Sequence, residues 1–257
     1  VFSSRTRSPP RPNPSPYGAP VRSLPGPDTV AAGWLNPRAK NLKPRPSCGL
    51  SVRLHDGFTP SAFAEAIRAG PTPQVQAMVS FEGSIPFAAP AELYLRARPG
   101  LHAFVCFVQS ASGPPAAKLK MVTVTSATDK PVAEPRSEIA VTWSDFVFEF
   151  PSEIRSGPRT VKVVNAGQQI HEMPIVTLAP GKTTADVLAL LSAPRGPGQP
   201  PPPFETVGGI GPIAPGGAAI FTLDLKPGTY YAFCFILDPG TRTAHAGLGM
   251  VKEITVR

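Results

Sequence analysis

The chain has 257 residues, among them 35 prolines and 23 glycines, and a net charge of +8. That much proline and glycine excludes a helical bundle and points to short strands with turn-rich connections. The hydrophobic fraction of 42% supplies apolar surface for two ordinary domains, and no run approaches the roughly 20 apolar residues of a membrane-spanning helix.

Residues 1–46 carry Arg5, Arg7, Arg11, Arg22, Arg38, Lys40, Lys43 and Arg45 against Asp28 alone, together with eleven prolines. Nearly all the excess charge sits there. Such a segment buries too little apolar surface to fold alone. Proline fixes φ in advance and favours an extended polyproline conformation. The segment therefore reads as a basic docking arm laid across other protein subunits, or against an anionic membrane surface. Aromatic-basic interleaving and zinc-finger spacing are both missing, which argues against nucleic acid. Within the arm only Thr29-Val30-Ala31-Ala32-Gly33-Trp34 reads as a strand.

A first domain is expected over 47–127, with a helix capped by Thr59 and opened by Pro60. A mixed-charge linker broken by two prolines follows at 128–136. The second domain, 137–257, begins with strands at Ile139–Trp143 and Phe146–Phe150. Phe146, Phe148 and Phe150 alternate, which puts them on one sheet face. Val161 and Val163 repeat the pattern. Thr183 or Thr184 caps a helix whose Val187, Leu188 and Leu191 form an apolar stripe, and Pro200-Pro201-Pro202-Pro203 marks a stiff exposed loop.

Three segments then stand out: Asn165-Ala166-Gly167-Gln168-Gln169-Ile170-His171, Pro227-Gly228-Thr229-Tyr230-Tyr231-Ala232-Phe233-Cys234, and His245 followed at the fifth position by Met250. Over most of 137–257 they resemble the cupredoxin, or blue-copper, family. The resemblance implies a Greek-key β-sandwich holding one type-1 copper, with His171, Cys234 and His245 as strong ligands and Met250 as the weak axial one. Two imidazoles, a thiolate and a thioether suit an ion that cycles between Cu(I) and Cu(II). Two features depart from the family. Ten residues separate Cys234 from His245, a longer loop in which Asp238-Pro239-Gly240 could aim the histidine elsewhere. Glu172 also follows the first histidine. A sandwich that keeps these residues without metal is the alternative.

The same pattern occurs earlier in the chain. Arg98–Phe107 aligns with Lys226–Phe235, Leu93-Tyr94-Leu95 with Phe221-Thr222-Leu223, and Gly57–Ile67 with Gly181–Leu191. A repeat fixes architecture, so the expected fold is all-β: two tandem cupredoxin-like Greek-key sandwiches behind a Pro-rich arm. The first copy is degenerate. His171 falls on Ser47 and His245 on Ala116, and of the four ligand positions only Cys106 and Met121 survive. In a cupredoxin the first histidine and the cysteine converge, so the resemblance places Cys48 within bridging reach of Cys106. The alternative is three buried free thiols.

Other motifs fail. Gly181-Lys182-Thr183 lacks the upstream glycine of a phosphate-binding loop, Val176 standing there, and His171-Glu172 lacks the second histidine of a zinc-protease helix, Ile175 standing there. His55 and His102 sit beside no nucleophile turn. The expected function is that of an accessory subunit, not an enzyme. It docks on a larger, membrane-associated electron-transport assembly outside the cytoplasm, in the periplasm or as a secreted protein, and copper in the second domain serves electron transfer. Disulfide formation and copper chemistry both favour such a compartment, and a chain beginning at Val1 matches a mature secreted form. The alternatives are a freely diffusing blue-copper carrier and a metal-free structural subunit.

Overall fold

The computed structural model describes residues 22–23, 26–37, 47–69, 72–84, 92–108, 116–126, 132–193 and 201–257. Three short strands come first: β1 (Arg22–Ser23), β2 (Thr29–Ala31) and β3 (Gly33–Leu35). The first copy continues with β4 (Ser47–Leu54), α1 (Pro60–Ala66), α2 (Pro73–Met78), β5 (Val79–Gly83), β6 (Leu93–Ala97), β7 (Gly100–Val108) and β8 (Ala116–Thr125). In the second copy come β9 (Ile139–Ser144), β10 (Val147–Glu149), β11 (Glu153–Ile154), β12 (Gly157–Asn165), β13 (His171–Leu178), α3 (Thr184–Ser192), β14 (Phe204–Ile213), β15 (Ala218–Leu225), β16 (Gly228–Phe233) and β17 (Val251–Val256).

The strands form two sheets. The larger runs β1-β8-β7-β4-β5-β14-β13-β16-β17-β11, with β2 also on β8, and the smaller runs β10-β9-β12-β15-β6-β3. The all-β sandwich expected from the sequence is present, but the two copies are not beads on a linker. They share both sheets. At one seam β5 pairs antiparallel with its counterpart β14, and at the other β6 pairs antiparallel with its counterpart β15. Each strand meets its own repeat, as across a two-fold axis. One core fills the space between the sheets. It holds Leu93 and Leu95 from the first copy together with Trp143, Val161, Val163, Met173, Ile175, Phe221 and Ile254 from the second.

Helices cover the outer face of the larger sheet. Phe63, Val75 and Met78 from α1 and α2 pack on Val52, Ala103 and Val105, while Val187 of α3 packs on Val176 and Phe233. The side chain of Thr59 accepts from the Ala62 N–H at 3.2 Å and Pro60 opens α1, as the capping rule requires. The first copy carries a second helix where one was expected. Thr72 caps it and Pro73 opens it, the same signal repeated at short range.

The expected arm changes in extent. Residues 29–31 lie parallel on β8 and 33–35 antiparallel on β6. They fill places equivalent to β11 on β17 and β12 on β15. Trp34 is buried against Ala218 and Ile220, and Asp28 pairs with Lys120, so this stretch has the apolar and charged anchors that a free arm lacks. Arg22 sits in β1, beside β8. Arg5, Arg7, Arg11, Arg38, Lys40, Lys43 and Arg45 lie outside the described residues. The end of the expected linker, 132–136, lies in neither helix nor strand, and Glu134 pairs with Lys162 at 2.5 Å.

Candidate metal centre

His171 opens β13, Cys234 directly follows β16, and Met250 directly precedes β17; these three strands are neighbours in the larger sheet. His245 opens a short 3-10 turn, His245–Leu248. One end of the sheet thus gathers all four side chains that the sequence singles out in the second copy. His171 Nδ1 lies 3.0 Å from His245 Nδ1. Cys234 Sγ lies 3.9 Å from the first of these nitrogens and 3.4 Å from the second. Among the described residues this is the one group of His, Cys, Asp or Glu donors able to close on a metal ion. All three are buried. So is Met250, which shares a core cluster with Cys234; its N–H donates to the His245 carbonyl at 2.9 Å and its carbonyl accepts from the Cys234 N–H at 3.2 Å.

The long ligand loop does not aim His245 away. Asp238 N–H donates to the Thr243 carbonyl at 2.9 Å, Leu237 bridges to Ala244, and His245 N–H returns to the Ile236 carbonyl at 2.8 Å. The loop is a hairpin. Asp238 Oδ1 accepts from the Gly240 and Thr241 amides at 3.1 and 2.6 Å and fixes its tip, the use of aspartate expected in a tight turn. Asp-Pro-Gly is the signal that brings the histidine back.

Around the first ligand, Asn165 is fully buried and clamps the 165–171 loop. Its Nδ2 donates to the carbonyls of Gln169 and Ile213, each at 2.8 Å, and its Oδ1 accepts from the Gly167 amide at 3.0 Å. Gly167 must be glycine, because a Cβ there would lie 2.4 Å from Asp145 Oδ1 and 2.9 Å from His171 Nε2. Asp145 and Phe146 form the two-residue turn between β9 and β10. Phe146 stands at φ 67°, a left-handed conformation that costs about 1–3 kcal/mol for such a residue. The turn aims Asp145 at His171 and lays the Phe146 ring edge-on to His245, with centroids 5.1 Å apart. Phe148 and Phe150 enter the core as their alternation predicts. Phe146 reaches the same core from a turn, half-buried, and not from the strand expected there.

Asp145 Oδ1 lies 3.0 Å from His171 Nε2. Burial pushes the Asp145 carboxyl up, but hydrogen bonds from His171 and from the Gln168 and Gln169 amides outweigh it and hold the group below the usual carboxylate range. An ionised carboxylate only accepts, so His171 Nε2 donates and its Nδ1 carries a lone pair. Burial lowers His171, against the opposing effect of Asp145, and burial together with the nearby His171 lowers His245. Both rings are therefore neutral at pH 7. Burial pushes the Cys234 thiol up to about 12, although backbone hydrogen bonds from Glu172 and Ile236 favour its thiolate. Desolvation pushes the neighbouring Glu172 carboxyl up to about 7. With both rings protonated at Nε2, their two Nδ1 lone pairs face each other at 3.0 Å and repel unless positive charge lies between them, and the thiol can donate its single S–H to only one of them. The donor set fits a type-1 copper, whose charge would hold Cys234 as thiolate.

In the first copy, the backbones of Cys48 and Cys106 are directly opposed between β4 and β7. Cys106 is disulfide-bonded, while Cys234 is a free thiol. The Cys48 side chain lies outside the described residues. Sequence reading did not single out Asp145, and it named Asp238 only as part of a turn and Phe146 only as a strand residue. The available signal was chemical, since a metal-binding imidazole needs a partner for its other nitrogen.

No family model and no curated protein matches the chain. Solved structures similar to it include a reduced auracyanin from Roseiflexus castenholzii, 22% identical over 46% of this chain and 94% of that one, with a TM-score of 0.29. Auracyanin A, a blue copper protein from Chloroflexus aurantiacus, is 22% identical over 46% of this chain and 97% of its own, with a TM-score of 0.30. A multicopper oxidase is 14% identical over 82% of this chain and 71% of its own, with a TM-score of 0.27. By its own strand order the chain is an all-β double sandwich, and its second copy gathers the His171, Cys234 and His245 donors that the resemblance to cupredoxins implied.

Proposed function

We propose that the second copy binds one copper ion and transfers single electrons, and that the chain serves as an accessory subunit of a larger membrane-associated assembly outside the cytoplasm. The observation that carries the redox reading is the convergence of two imidazole Nδ1 atoms and one thiol in a fully buried pocket beside Met250. Copper would supply a one-electron couple there. His171, Cys234 and His245 would hold it from three sides, Met250 would cover it, and Asp145 would fix the orientation of His171. A site closed in this way admits an electron more readily than a substrate, so the chain is proposed to be a carrier and not an enzyme. The docking reading rests on the concentration of arginine, lysine and proline in residues 1–46. Among the described residues no helix is long and apolar enough to cross a membrane, so attachment is proposed to run through partner subunits.

Reconstitution with Cu(II) tests the redox part. One copper per chain and an intense visible thiolate charge-transfer band are expected, and a colourless, copper-free protein would overturn it. Size-exclusion chromatography of native extract tests the docking part. Elution in a large complex that releases the chain at high salt is expected, whereas elution as a free 27.0 kDa chain would leave the diffusing-carrier reading in its place.

A further inference from the structure

His245 Nε2 lies 3.0 Å from Gln169 Oε1. A glutamine amide presents an oxygen on one side and an NH2 on the other, so its orientation decides what it offers a neighbour. Here a third residue decides it. Gln169 Nε2 lies 2.9 Å from Asp238 Oδ2. The carboxylate accepts only, so the amide must turn its NH2 toward Asp238 and its oxygen toward His245. That oxygen cannot donate, so His245 Nε2 must carry the ring proton, and its Nδ1 is left with the lone pair that faces Cys234 and His171. Asp238 is itself fixed, because Oδ1 is engaged by the Gly240 and Thr241 amides and by the Thr241 hydroxyl at 2.9 Å. The backbone of Gln169 is held too, its amide donating to Asp145 at 3.2 Å.

We propose that Asp238 and Gln169 form a positioning relay that sets the tautomer of His245, so that the long loop between Cys234 and His245 carries its own device for presenting a metal-ready nitrogen. The proposal rests on the copper reading for its purpose, but the proton's location is a property of the metal-free protein. The relay also joins the two ligand loops, 165–171 and 234–245, through the two hydrogen bonds of the Gln169 side chain. Asp145 does for His171 what Gln169 does for His245. The difference is that a carboxylate dictates the tautomer directly, whereas an amide needs a second carboxylate to orient it.

The test is long-range 15N NMR of the histidine rings in the metal-free full chain, paired with Cu(I) affinity by competition against a chromophoric chelator. Wild type should show His245 protonated at Nε2. Gln169→Leu removes the acceptor. A population protonated at Nδ1 should appear, and Cu(I) should bind about 10- to 100-fold more weakly, the usual effect of losing a ligand's hydrogen-bond partner. Asp238→Asn lets the glutamine flip and should give the same change. Asp238→Asn combined with Gln169→Glu restores a carboxylate facing His245 and an amide facing it in turn, and should recover the Nε2 tautomer, which a merely structural role for either residue would not bring about. A wild-type ring protonated at Nδ1, or an unchanged tautomer in Gln169→Leu, overturns the relay. If wild type takes up no copper while the tautomers shift as stated, the relay stands and the redox reading falls.

Discussion

The two copies use the same strands for opposite purposes. β4 and β13 have the same length and begin at equivalent residues, Ser47 and His171. In the second copy the residues at one sheet end converge as metal donors. At the equivalent end of the first copy Cys106 is disulfide-bonded and Cys48 lies opposite it. Further along β7 the first copy buries a polar pair: His102 Nδ1 lies 2.8 Å from Glu82 Oε2, their side chains 0% and 7% exposed. His102 Nε2 also lies 2.7 Å from the carbonyl of Arg98, and its counterpart Tyr230 donates to the carbonyl of Lys226 at 3.0 Å. A tether has been kept while the residue that makes it changed. Once a copy is fused along both sheets it need not hold a metal to be retained, because its strands complete the core of the other.

The comparison breaks most sharply at Cys234. Cys234→Ser should abolish any visible charge-transfer band, because the thiolate is its source, while the fold persists. Met250→Leu should keep the band and shift the reduction potential, since the axial ligand tunes energy more than it holds the ion. Visible spectra and voltammetry of the two variants check this. A coloured Cys234→Ser protein would remove the donor assignment.

In the first copy the largest effect should come from the buried pair. His102→Leu strands the Glu82 carboxylate at the β5–β14 seam, and removing one partner of a buried pair costs about 3–5 kcal/mol. Urea denaturation should show it as a lower midpoint. Because the copies share one core, a single transition should move, and a separate early phase would mean that the seam does not couple them. We expect the same of reduction if Cys48 and Cys106 are bridged. A disulfide of this kind contributes roughly 2–4 kcal/mol, and its loss should lower the melting of the whole chain.

Next in size is pH. The folded thiol of Cys234 is pushed up to about 12 by burial, so metal binding near neutrality must expel its proton. Both histidine pKa values lie below their ordinary value. Above those values one proton leaves per ion bound. Affinity should then rise about tenfold per pH unit until the thiol itself ionises, a step of about 1.4 kcal/mol. Below them protonated imidazoles compete as well, and the dependence should steepen. Chelator competition at several pH values measures the slope, and a flat profile would mean that the thiol does not bind as thiolate.

The sequence made the repeat and the spacing of His171, Cys234 and His245 legible, because repeats and ligand types are local properties. It could not show that β5 meets β14 or that β6 meets β15, since a seam between repeats leaves no mark on either one. Asp145 was equally hidden, for its bond to His171 crosses 26 positions and depends on Phe146 at positive φ. The ten-residue loop looked like a hazard because Asp238-Pro239-Gly240 signals a turn without giving its direction, and the pairing of Leu237 with Ala244 supplies that direction.

The smallest predicted difference separates the helices that cover the two copies. α1 and α3 are both capped by threonine, but only α3 closes a reciprocal box, in which the Asp186 carboxylate accepts from the Thr183 N–H at 2.8 Å and the Thr183 hydroxyl oxygen accepts from the Asp186 N–H at 3.4 Å; α1 has no acidic residue in its first turn. Backbone and side-chain hydrogen bonds from Thr183, with Lys182 assisting, hold Asp186 down to about 2. A folded-state pKa below the unfolded one means that the contribution is present above about pH 4 and fades as pH falls through about 2. Thr183→Ala should cost about 1 kcal/mol at neutral pH, and the cost should shrink in acid as Asp186 protonates. Thr59→Ala lacks the carboxylate partner and should show a loss that changes little over the same range. Melting curves of both variants from neutral pH to pH 2 make the comparison, and equal pH dependence at the two helices would show that the box adds nothing to the threonine cap.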